Sequence, residues 1–308
     1  MLGFKLSLLL QWGFFHSMKL LKQNIANIFG EKGEHWIANL PITISELTAY
    51  WELKDVTPVD NMTFNYVAKA ATRAQQPVVL KIGCDEKSIA EEIQALQYFD
   101  GNGSIRLISH HPKYHALLLQ QAIPGTSLKS LYPSQVGYVM DCYIDTMKKL
   151  HSKCLSNQNS YRHIKDWLRA IDNFSDKACP LHLIKKAIAL KNKLLTSMTK
   201  EVFLHGDLHH DNILKNGDDW LAIDPKGIIG EPEFEIAAFD FMYINELANK
   251  SDTKNIFEAR VKLLAEKSMH NPERIKDWIF VRLILMAAWH VEDNGNPRWA
   301  IKLAEALM

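Results

Sequence analysis

Residues 202–230 constrain this chain more than any other stretch. Three apolar residues, Val202-Phe203-Leu204, run into the polar cluster His205-Gly206-Asp207-Leu208-His209-His210-Asp211-Asn212. Ile213-Leu214 and an Asn216-Gly217 pair follow, then Trp220-Leu221-Ala222-Ile223-Asp224-Pro225-Lys226-Gly227. An apolar run feeding a polar cluster reads as a short buried strand ending in a loop, and Asn-Gly between apolar runs is the strongest short hairpin signal. Asp207 and Asn212 therefore share one loop, and the hairpin returns Asp224 beside them. Two carboxylates and a carboxamide converging at strand ends are hard oxygen ligands suited to magnesium and a phosphate substrate.

Phosphoryl transfer needs those roles filled. In protein-kinase-like enzymes an Asp accepts the proton of the attacking hydroxyl, an Asn five positions on holds one magnesium, and a later Asp holds the metals at the phosphates. Asp207, Asn212 and Asp224 have that order and spacing.

The strings His205-Gly-Asp-Leu-His-His-Asp-Asn-Ile-Leu214 and Trp220-Leu-Ala-Ile-Asp-Pro-Lys-Gly-Ile-Ile-Gly-Glu-Pro232 resemble the aminoglycoside phosphotransferases. Within them the Asp224-Pro225-Lys226-Gly227 run looks like the streptomycin 6-kinase and hydroxyurea kinase branch. The resemblance implies an α+β, two-lobed protein-kinase-like fold, with an antiparallel sheet and helix in the first lobe and a mainly helical second lobe. It also implies ATP-dependent phosphorylation of a small-molecule hydroxyl, with ATP and Mg2+ required, and streptomycin is the leading acceptor by resemblance alone.

The rest of the chain sets further bounds. At 308 residues and 47% hydrophobic content it can bury one large core or two adjoining ones. A net charge of +1 gives no sign of nucleic acid, and overall neutrality can still hide an acidic cleft for a cationic small molecule. Cys84, Cys142, Cys154 and Cys179 form no Cys-x-x-Cys pair, which removes zinc and redox motifs and reads as free thiols in a reducing cytoplasm. The apolar run Leu6–Phe15 has the length of a signal-peptide core but lacks a cleavage site, and it is too short to span a bilayer. The expectation is a cytoplasmic protein, monomer or dimer, not associated with membrane. Its folded part would start at Met18, with residues 1–17 an upstream extension.

From Leu20 to Leu53 the pattern is helical, with breaks expected at Gly30 and Pro41. Strand-like runs follow at Val59–Ala70 and Pro77–Gly83. The turn Asp60–Asn65, where kinases cover phosphates with glycines, holds none, although Asn tolerates left-handed backbone better than most residues. In Val78-Val79-Leu80-Lys81-Ile82 the period of two puts Val79 and Lys81 on one face. Ser88-Ile89-Ala90-Glu91 reads as a capping box opening a helix with Ile89, Ile93, Leu96 and Phe99 as its apolar stripe. Glu92 points from within that stripe. A buried carboxylate is costly unless paired, and Lys81 is its candidate partner. Such a pair can be purely structural; the resemblance matches Lys81 to the lysine holding the α- and β-phosphates and Glu92 to the helix residue positioning it.

Strand, turn and strand are expected at 105–108, 110–113 and 116–121, with Pro124-Gly125 as a hinge. That gives lobes at 18–123 and 124–308. His110-His111 could ligate a metal, but Pro112 beside them favours a solvated turn. By resemblance, the backbone of Gln120 and Ala122 would bond adenine. Helices are expected at 136–151, 164–174, 183–198, 231–240, 256–268, 272–291 and 298–308, with a polar loop at 154–162.

Glu235 matches an acid that braces the family's catalytic loop from the next helix. Asp240, Glu292 and Asp293 are freer to meet a cationic acceptor, or are simply solvated. His205 matches a histidine that packs before the catalytic Gly-Asp, and Lys226 could reach the transferring phosphate. Two rivals stand beside the kinase. A metal-dependent hydrolase would use His205, Asp207, His209, His210 and Asp211 but leaves Lys81 and Glu92 unexplained. A kinase-shaped binding protein without activity would explain the glycine-free turn, yet the candidate base and metal ligands are all present.

Overall fold

The computed structural model describes residues 2–155, 161–175, 177–238, 252–293 and 295–308, with side chains from Met18 onward. The chain divides into two compact units, Met1–Gly101 with Ile105–Ile123, and Asn102–Ser104 with Pro124–Met308.

In the first unit α1 (Leu2–Tyr50) is two helices merged across a kink at Gly30, whose φ of 53° and ψ of −133° only glycine adopts readily. The break expected at Pro41 does not occur, and no break marks Met18. A proline inside a helix loses a hydrogen bond and clashes with the preceding turn. Here buried Leu40 and Leu47 pin the helix to the sheet core on both sides of it. The sheet contains β1 (Lys54–Pro58), β2 (Asn65–Ala71) and β3 (Pro77–Gly83); α2 (Glu86–Phe99) then leads to β4 (Leu107–His111) and β5 (Ala116–Gln120). Its order is β1-β2-β3-β5-β4, every pair antiparallel.

Three expectations are corrected here. The strand expected at Val59–Ala70 begins only at Asn65, because 59–64 is the connection from β1. β1 was hidden in the sequence: it is an edge strand, largely exposed, with no apolar alternation to betray it. The cap of α2 is Asp85, not Ser88: the Asp85 carboxylate accepts from the Ser88 N–H at 3.0 Å, and the Ser88 hydroxyl also donates to it. His110 and His111 lie in β4, and the turn is Pro112–Tyr114 with His115 left-handed behind it.

The second unit runs β6 (Pro124–Ser127), α3 (Val136–Leu150), β7 (Arg162–His163), α4 (Ile164–Asp172), α5 (Leu181–Thr196), β8 (Val202–Leu204), β9 (Ile213–Asn216), β10 (Asp219–Ala222), β11 (Ile228–Gly230), α6 (Pro232–Ile236), α7 (Thr253–Ser268), α8 (Pro272–Glu292) and α9 (Arg298–Ala306). Two small sheets, β10-β9-β6 and β7-β11-β8, carry the loops of interest. Pro124-Gly125 opens β6, which pairs with β9 from Pro124↔Asn216 to Ser127↔Leu214, and the division between the two units falls just before it, at Ile123. Arg162, expected in a loop, pairs with Ile228. Asn102–Ser104 serve this unit too: the Ala222 N–H donates to the Gly103 carbonyl at 2.8 Å. α8 forms the centre, with Trp278, Val281 and Ile284 fully buried. Among the described residues, no helix is long and apolar enough to cross a membrane.

Candidate active site

The loop after β8 is built on one buried carboxylate. Glu235, on α6, is fully buried and accepts the His205 N–H at 2.6 Å on one oxygen and the Gly206 N–H at 2.9 Å on the other. This is the bracing contact that the resemblance implied. His151, which ends α3, lies 3.4 Å from the same carboxylate. Burial alone would raise the Glu235 carboxyl, but the bond and charge of His151, with His205 and Arg282, hold it below its ordinary value. His151 was not singled out in the sequence, since a histidine at a helix end has no local signature of its target.

The His205 ring is fixed at both nitrogens. Nδ1 accepts the Asp207 N–H at 3.2 Å and Nε2 lies 2.8 Å from the Ile223 carbonyl, so the proton belongs on Nε2. Burial lowers its pKa against the raising pull of Glu235 and Asp207, which keeps it a neutral tether between the loop and the hairpin. Its own carbonyl accepts the N–H groups of Lys226 at 2.7 Å and Gly227 at 3.2 Å. Gly206 has φ +87°, and a Cβ there would stand 2.9 Å from Trp167 Cη2 and 3.2 Å from Lys226 Cβ. Both conformation and space call for glycine at this point.

Asp207, Asn212 and Asp224 are joined through these bonds. Asn212 donates its side-chain N–H to the Asp207 carbonyl at 3.0 Å, and its own carbonyl accepts the Ile223 N–H at 2.9 Å, placing Asp224 one residue away. The β9–β10 hairpin is in register from Asp219↔Asn216 to Ala222↔Ile213, as Asn216-Gly217 foretold. All three side chains are half-buried. Asp224 has φ +60°, a left-handed conformation that costs a non-glycine residue energy and clusters at functional positions. The Asn212 amide nitrogen donates to the Asp207 carbonyl, so its Oδ1 is the side-chain atom that could meet a metal. With the Asp224 carboxylate this makes an all-oxygen donor set that fits magnesium better than zinc. Lys226 has an exposed side chain.

Of the ligand-rich neighbours, Asp211 and His209 have side-chain partners. His209, His210 and Asp211 bring ligand atoms within 4.8 Å of one another. However, the Asp211 carboxylate pairs with Lys129, and His209 Nδ1 accepts the Asp211 N–H at 3.3 Å. Burial pushes the His210 imidazole down to about 4. The Ser127 hydroxyl, on β6, donates to the His210 carbonyl at 3.2 Å.

The first unit holds the other group. Lys81 Nζ, on β3, sits 2.8 Å from Glu92 Oε1 and 2.7 Å from Oε2, both residues buried. The Gln120 N–H donates to the Arg106 carbonyl at 2.9 Å. Ala122, in the segment of chain that follows β5, is buried. Glu292 and Asp293, at the end of α8, are exposed. Asp240 lies outside the described residues.

The family described as aminoglycoside/hydroxyurea antibiotic resistance kinase matches residues 51–294. A streptomycin 6-kinase from Streptomyces glaucescens is 28% identical over 304 residues, covering 93% of this chain and 95% of that protein. A hydroxyurea phosphotransferase from Kitasatospora aureofaciens is 24% identical, covering 91% and 82%. Among solved structures, the aminoglycoside phosphotransferase APH(4)-Ia shares the fold with a TM-score of 0.65 at 15% identity, covering 87% of this chain and 98% of that one.

Proposed function

Because the chain belongs to the aminoglycoside/hydroxyurea antibiotic resistance kinase family, we propose that it moves the γ-phosphoryl group of ATP directly to a hydroxyl of an aminoglycoside-like acceptor, streptomycin first. It is a small-molecule phosphotransferase with a kinase-like fold, two-lobed, with an antiparallel sheet and helices in one unit and mostly helices in the other.

The single observation that carries the mechanism is the loop from His205 to Lys226, hung on the buried Glu235 carboxylate with Asn212 tied to the Asp207 carbonyl. Asp207 orients the acceptor hydroxyl and takes its proton. Asn212 and Asp224 would hold magnesium, which when bound would offset the charge developing on the phosphate oxygens. Lys81, steadied by Glu92, meets the α- and β-phosphates. Lys226 is assigned to the transferring phosphate, and the backbone of Gln120 and Ala122 to adenine. Glu292 and Asp293, with Asp240, are the carboxylates proposed for a cationic acceptor. Use of ATP assigns the reaction to the cytoplasm. Direct positioning and charge stabilisation, with no covalent enzyme intermediate, is the economical route for this chemistry.

The test is a panel of aminoglycosides, hydroxyurea and cellular alcohols, scored for ATP consumed above the water background. Acceptor-dependent ATP use with streptomycin supports the reading. No acceptor-dependent ATP use, together with tightly held zinc in the purified protein, would favour a hydrolase built on His209, His210 and Asp211.

A further inference from the structure

A row of aromatic rings runs through the second unit and ends beside the loop. Trp278 and Phe234 have centroids 5.1 Å apart, Phe234 and Trp167 6.4 Å, and Trp167 and Trp289 5.4 Å. Trp278 and Phe234 are fully buried, and at that end the Arg282 guanidinium stands 4.5 Å over the Phe234 ring. The protein thus already satisfies one planar cation on this row. At the other end Trp167 and Trp289 are only half-buried, meeting edge to face at 80°.

That end is next to the proposed chemistry. Trp167 Cη2 would be 2.9 Å from a Cβ on Gly206, so the indole lies against the backbone of the residue before Asp207. Trp289 sits in the last turn of α8, where the helix carbonyls favour positive charge. Glu292 lies three positions further on, at the spacing that puts two side chains on one helix face, and Asp293 caps the helix. Half-buried indoles with a negative helix end and carboxylates beside them fit a flat, weakly hydrated cation better than a compact ammonium.

We propose that Trp167 and Trp289 form an acceptor subsite that stacks on a guanidinium group of the substrate. This rests on the kinase reading and deepens it by naming the side chains that hold the acceptor. The two indoles bind and orient; they take no part in proton or phosphoryl transfer.

The test is calorimetric titration of the purified full chain with streptomycin, a guanidinium-bearing probe, without nucleotide, and separately with ATP. The variants are Trp289→Leu, Trp289→Phe and Trp167→Phe, each checked by thermal melting. Trp289→Leu should weaken streptomycin binding by roughly 3- to 30-fold, the span of a cation on an indole. Each Phe variant should lie between it and the parent, and ATP affinity should stay within about twofold, because the rings are not assigned to nucleotide. Failure of the parent chain to bind streptomycin would overturn the proposal. So would unchanged streptomycin affinity in a folded Trp289→Leu, or equal loss for streptomycin and ATP. If streptomycin binds through the indoles but no acceptor consumes ATP, the kinase reading fails while the subsite stands.

Discussion

The two units solve the same physical problem in opposite ways. Each buries a carboxylate, which is costly unless its charge is met. In the first unit Glu92 is met by the opposite charge of Lys81, side chain to side chain between α2 and β3. In the second, Glu235 is met mainly by backbone, two consecutive N–H groups at His205 and Gly206, with His151 beside it. A charge-to-charge pair fixes two atoms. A charge-to-backbone clamp fixes a loop, and so leaves Asp207, Asn212 and Asp224 half-exposed while their main chain is held.

The difference predicts different failures. The largest effect on stability should come from Lys81→Met, which removes the ion-pair partner of the buried Glu92 at a cost of about 3–5 kcal/mol. Lys81→Met with Glu92→Leu should recover most of that in chemical denaturation while leaving ATP binding impaired. A double variant as unstable as the single one would break the charge-to-charge reading. Next, Glu235→Gln keeps shape but supplies one acceptor where two N–H groups need one each. It should cost about 1–3 kcal/mol and lower turnover together with stability, because the loop loosens. Unchanged turnover in a folded Glu235→Gln chain would show that the clamp does not position Asp207.

A third expectation concerns pH. His205 is buried and neutral, with its pKa lowered in the folded state. The unfolded chain therefore takes up its proton first as pH falls below about 6.5. The stability tied to neutral His205 is full above that value and is lost as pH falls through the lowered folded pKa. Melting temperatures between pH 8 and 5 should decline for the parent and decline less steeply for His205→Asn. Parallel curves would remove His205 from the tether. The smallest effect is Asp85→Ala at the start of α2, about 1 kcal/mol of stability with no change in turnover. A larger loss would mean that the cap also holds Glu92 against Lys81.

What could be read from the sequence follows the range of the interactions. The Asn216-Gly217 hairpin and the Glu92 position inside an apolar stripe are local patterns, and both lead directly to contacts in the structure. The Asp85 cap was missed because Asp85 and Ser88 both have capping chemistry three positions apart, and the carboxylate is the one that accepts. Pro41 was read as a break because the sequence does not show the sheet core holding Leu40 and Leu47. β6 and β7 are short strands whose partners, β9 and β11, lie tens of residues away, so neither carries a local signal. His151 belongs to the same class: its target, Glu235, is 84 residues distant.

Asp207→Asn tests the central claim most directly. The substitution keeps size and removes the proposed proton acceptor, so streptomycin phosphorylation should fall by about 100- to 10,000-fold, the usual share of a general base, while ATP affinity and melting temperature stay near the parent values. Streptomycin phosphorylation at the parent rate in a folded Asp207→Asn chain would contradict the account, since the loop that Glu235 holds in place would then be holding nothing the reaction uses.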